Sequence, residues 1–103
     1  MNEEVVKKVL ESARRIFAKN KALMNEHCRI IRVSLNDLEI LNTDKPNFPS
    51  LSIPAIIPIL ARAIVTMEMV FEMNHELSKA KECSSLTKRL TESLNNKGGS
   101  DVR

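Results

Sequence analysis

"SIPAIIPILARAIVTMEMVFEM", residues 52–73, carries only four charged or hydroxyl side chains after its opening serine: Arg62, Thr66, Glu68 and Glu72. A membrane-spanning helix needs about 20 mainly apolar residues, and each central charge costs roughly 2.5 to 3.5 kcal/mol. Arg62, Glu68 and Glu72 cut the stretch into shorter apolar pieces, and Pro54 and Pro58 disturb its start, so the expectation is a soluble segment that does not enter a membrane. On a helical projection starting from Leu60, the side chains of Ile56, Ile57, Ile59, Ala63, Ile64, Met67, Val70, Phe71 and Leu77 form one arc of about 160°. Asn74 and His75 intrude at its far end, Glu68, Glu72, Glu76 and Lys79 stand opposite, and Val65, Met69 and Met73 form a second apolar patch outside the arc. A helix facing one neighbour needs an apolar face only a little wider than about 100°, so this one predicts at least two neighbours.

The first forty residues predict one of them. With Leu10, Phe17, Met24, Ile31 and Leu38 at heptad position a, Val9, Ile16, Leu23 and Ile30 fall at g, and both series are apolar. The d series runs Val6, Ala13, Asn20, His27, Ser34, Leu41, polar in its middle. No Gly or Pro interrupts, so the spacing predicts one long helix over residues 3–41 with a polar notch at Asn20 and His27. Ser34 followed by Asp37 is a capping signal for a break near Val33 instead.

"NTDKPNFPSLSIP", residues 42–54, reads as a Pro-rich turn. The second helix is expected over residues 55–95, entering through a distorted turn at 54–57 or starting near Pro58. Ser84 and Ser85 make 83–85 a point where "LTKRLTESL" could separate as a short third helix, and Gly98 is suited to a left-handed stop before a disordered tail at 98–103. With no internal repeat, residues 1–97 form a single domain of all-α class. The expected fold is a long antiparallel helical hairpin of two long helices, with the short third helix as a variant, assembling into a helical bundle with another chain. Two helices meet along one seam, which cannot cover both the 160° arc and the a/g face; the remainder predicts an interface.

Function follows by exclusion and by weighing. Both glycines lie in the last six residues, so there is no glycine-rich phosphate loop and no nucleophile elbow. His27 and Cys28 are sequence neighbours and would point about 100° apart on a helix, which does not make a thiol and imidazole dyad. Glu72 and His75 have the E-x-x-H spacing of carboxylate-bridged metal bundles, but there is one such pair where two are needed, and it lies on the charged side. No metal, cofactor or small-molecule substrate is expected, and no enzyme activity. Cys28 and Cys83 have no zinc or disulfide spacing, and "MNEEVVKKVL" is too charged for a secretory leader, so the expected setting is a reducing intracellular compartment, cytoplasm or nucleus.

The expected function is therefore that of a non-enzymatic assembly subunit, burying Ile57, Leu60, Ile64, Met67, Phe71, Phe17, Met24 and Ile31 against helices of a partner chain, a second copy or a different protein. The alternative is a nucleic-acid-associated helical dimer, histone-like in having a long central helix between shorter ones. It would use a basic stripe of Lys7, Arg14, Lys21, Arg29 and Arg32, within a net charge of +3 from 16 basic and 13 acidic residues. Interspersed acids and the absence of Tyr and Trp weaken that alternative.

Overall fold

The apolar periodicity of the first forty residues is realised in three helices where one was expected. The computed structural model describes residues 3–41 and 53–102, apart from the side chains of Ile30, Ile40 and residues 96–102. Within them the chain is all-helical: α1 (Glu3–Lys19), α2 (Lys21–Asn25), α3 (Arg29–Leu41), α4 (Ile53–Met73) and α5 (Leu77–Val102). The Pro-rich turn falls, as far as Ser52, outside the described residues. The two polar d positions are where the first long helix breaks. At Asn20 the backbone turns to φ −120°, and its side-chain Nδ2 donates to the Ile16 carbonyl at 2.9 Å, competing with the helical pattern. At residues 26–28 the turn tightens, with His27 N–H donating to the Met24 carbonyl at 3.2 Å. No break occurs near Val33; Ser34 is buried inside α3.

The second long helix also divides, at residues 74–76 and not at 83–85, where α5 is continuous. His75 takes φ 61°. Its N–H donates to the Glu72 carbonyl at 3.1 Å and that of Glu76 to the Phe71 carbonyl at 2.8 Å, the pair of bonds of a Schellman stop. Glycine usually fills that left-handed position, and another residue there costs about 1 to 2 kcal/mol. α4 begins at Ile53 with Pro54 in its first turn; Pro58 sits inside the helix on its exposed side, where the carbonyl it leaves without a donor is open to water. α5 runs through Gly98 and Gly99 to Val102 in place of the expected stop and tail. Glycine permits a left-handed cap there without compelling one.

These breaks let the chain surround α4. An unbroken helix over residues 3–41 would be about 58 Å long, whereas the longest dimension of the molecule is 45 Å. α4 packs most extensively on α5 and then on α3, with α1 lying against both α4 and α5. The contacts His27 to Asn74 and Asp37 to Arg62 show that α3 and α4 run in opposite directions: ten residues forward from the turn before α3 correspond to twelve back from the turn after α4. This pairing is between α3 and α4 and is not the two-helix hairpin expected. Nine α4 residues are buried. By length and composition α4 is apolar enough to cross a membrane; in this fold its wide face is core.

One core atom lacks compensation: the Thr87 hydroxyl is buried with no hydrogen-bond partner among the described residues. An orphaned buried hydroxyl costs about 1 to 3 kcal/mol, so Thr87→Val is expected to raise unfolding free energy by about 1 kcal/mol. Phe71→Ala, which empties the centre of the same core, should lower it by about 3 to 5 kcal/mol. Urea denaturation of the two variants beside the parent chain measures both.

Candidate functional site

The eight side chains expected to meet a partner are all enclosed by their own chain. Leu60, Ile64, Met67, Phe71 and Met24 are at 0% exposure, Phe17 at 3%, Ile31 at 5% and Ile57 at 8%, in one continuous cluster. The mismatch between apolar surface and available neighbours disappears because five helices cover what two could not. Leu77, placed by periodicity in the same arc, is 62% exposed. The turn at 74–76 resets the helical phase, so counting at 100° per residue across it points Leu77 the wrong way.

What remains outside is a ridge. Val65, Met69 and Met73 are 43%, 50% and 53% exposed and stand one turn apart on the outer side of α4. Val33, 58% exposed, flanks it from α3, while Leu77 lies past the turn and outside this line. Val33 borders the ridge because Asp37, one turn further along α3, reaches Arg62 on α4 at 3.7 Å. The second apolar patch read from the sequence is thus the surface that stays open, while the broader arc closes.

The borders of the ridge differ in charge. On the α3 side stands exposed Arg29, about two turns before Asp37. On the α5 side stand Glu68 and, one turn on, exposed Glu72; Glu68 is near enough to Cys83 of α5 to act on its thiol. The contact of His27 with Asn74 brings Arg29, two residues after the one, and Glu72, two residues before the other, to the same end of the helix pair.

The expected nucleic-acid stripe is divided over three helices, Lys7 and Arg14 on α1, Lys21 on α2, Arg29 and Arg32 on α3. Lys21 is engaged: its Nζ lies 2.8 Å from Glu39 and 5.8 Å from the centre of the Phe17 ring. The E-x-x-H pair loses its shared helix face, since α4 ends at Met73 and His75 is in the turn. No group of three or more His, Cys, Asp or Glu is placed to hold a metal among the described residues.

A polar junction that the sequence pattern did not disclose ties the helix breaks together. Lys79 Nζ donates to Asn20 Oδ1 at 3.1 Å, pairs with Glu76 at 2.9 Å and lies 5.7 Å from the centre of the Phe71 ring. Asn74 Nδ2 donates to the Val70 carbonyl at 2.9 Å and meets His27 Nε2 at 3.0 Å. The signal available beforehand was the polar d series itself, Asn20 and His27 at seven-residue spacing.

The fold and its surface define an all-α helical module with an apolar ridge on α4. No protein-family model matches the chain, and neither a curated protein nor a solved structure is significantly similar to it.

The two thiols are sharply unequal: Cys28 is exposed between α2 and α3, whereas Cys83 is fully buried. Burial, with Glu68 and Glu82 adding to it, pushes the Cys83 thiol up from 9.0 to about 12. A thiol reagent near neutral pH is expected to modify one cysteine at once and the second only on unfolding, as counted by mass spectrometry. Because the folded state holds this proton more tightly than the unfolded chain, the stabilisation is complete below pH 9.0 and is lost progressively towards about pH 12. The stability difference between the parent and Cys83→Ala should shrink across that alkaline window.

Proposed function

We propose that this chain is a non-enzymatic assembly subunit of a reducing compartment whose partner is a second copy, met through the Val65, Met69 and Met73 ridge. The carrying observation is three apolar side chains one turn apart, each close to half exposed, on a helix whose opposite face is sealed. Thioether side chains are adaptable packing groups, suited to contact with another helix. A contiguous ridge of this kind, bordered by charged residues, marks an interaction site more often than does scattered surface apolarity.

Charge complementarity supports a second copy. A two-fold axis parallel to α4 sets Met69 against Met69 with the two α4 helices side by side. It also exchanges left and right, so each copy's Arg29 border meets the other's Glu72 border at matching height. The antiparallel alternative brings like borders together and is disfavoured.

Sedimentation across a concentration series tests this reading. The parent chain should dimerise, and Met69→Glu should abolish dimers while leaving the unfolding midpoint within the small range of surface substitutions, about 0.5 kcal/mol. Arg29→Glu should weaken association, and adding Glu72→Arg should restore it. A parent chain that stays monomeric at millimolar concentration sinks the reading; salt-sensitive retention on duplex DNA, lost in Lys7→Glu and Arg32→Glu, would favour the nucleic-acid alternative.

A further inference from the structure

The turn at residues 74–76 separates two helices that the sequence would join. No Gly or Pro lies between Pro58 and Gly98, and the apolar and charged patterns of α4 and α5 permit one uninterrupted helix. The turn is held by a non-glycine residue at φ 61°. Straightening it removes that left-handed residue and lets the N–H groups of His75 and Glu76 form ordinary helical bonds in place of those to the Glu72 and Phe71 carbonyls.

We propose that α5 is exchangeable: with the 74–76 turn extended, the α5 of one copy fills the groove between α1 and α4 of a second copy, and reciprocally. The groove is suited to that occupant because it already holds the same helix. α5 buries Ala80, Cys83, Leu86, Leu90 and Ser93, and its neighbours are α4 and α1; a second copy offers both surfaces unchanged. Lys79 moves with α5 and keeps Glu76, meeting Asn20 of the other copy, while Asn74 stays with α4 and His27. Every contact outside the turn is therefore conserved on exchange. The balance between closed monomer and exchanged dimer is set by the backbone preference of three residues and by concentration. In the exchanged form α4, with Phe71 beside Lys79, packs against the α5 of another chain, the companion that the width of the α4 apolar face predicts. The proposal does not depend on the outer ridge, which faces away from α5.

The experiment uses the full chain carrying Met69→Glu, so that association through the ridge cannot contribute. Two turn variants are compared. His75→Gly favours the left-handed turn and weakens a continuous helix, whereas Asn74→Ala, His75→Ala and Glu76→Ala combined favour the helix. A glycine-to-alanine difference of about 5-fold at each of two turns gives about 25-fold in the dimerisation constant. The alanine variant is expected to be the dimer and the glycine variant the monomer. Small-angle scattering should show the alanine form well beyond 45 Å in length, since a helix over residues 53–102 spans about 75 Å. In a Cys28→Ser background, Glu68→Cys oxidised with Cys83 should crosslink the alanine variant between chains and the glycine variant within one. An alanine variant that stays monomeric at millimolar concentration, or whose dimers crosslink only within each chain, overturns the proposal.

Discussion

The wide apolar face of α4 is the constraint to which the other helices answer. Its buried side chains, from Ile56 to Phe71, need neighbours on more than one side. A chain of 103 residues can meet that need by recruiting another molecule or by folding its own helices around the face. Here it folds back: α3 and α5 flank α4 and α1 lies against α4 and α5. The outcome is a core that includes both series of expected anchors, Phe17, Met24 and Ile31 from the first forty residues as well as the α4 set.

Folding back requires three interruptions, each of which frees backbone groups and turns polar side chains inward. The molecule satisfies them collectively. Asn20 uses both ends of its amide, one on the Ile16 carbonyl and the other for Lys79, while Lys79 also reaches Glu76 and lies near the Phe71 ring. Asn74 bridges its own helix and His27. Polar residues at the expected notch thus serve as the joints of the fold, and partial exposure keeps the cost of desolvating them small. His75 is the exception in this economy of contacts, since its backbone is in a region that its side chain disfavours.

Enclosure of the main face shifts the functional question to what stays outside. The ridge of Val65, Met69 and Met73 is narrower than the arc on the inner side of the same helix, and it lies between borders of opposite charge. The proposed side-by-side pairing of like chains rests on that surface. The ridge ends at Met73, next to the turn between α4 and α5, and a substitution at Met69 is what separates side-by-side association from exchange.

The helical class, the continuous core face of α4 and the burial of every a-position residue from Leu10 to Leu38 were legible in the residue order, because a 100° rotation per residue fixes which side chains share a face whatever the face meets. That Val65, Met69 and Met73 lie apart from that face was legible for the same reason; that they stay open was not. The breaks were not: Asn20, His27 and His75 are compatible with a helix locally, and neither Gly nor Pro marks the sites. Only tertiary packing decided them, since a chain turns where the burial gained by bringing distant helices together exceeds the cost of one strained or hydrogen-bonded joint. That balance also sent Leu77 outward and made the expected partner interface an internal core.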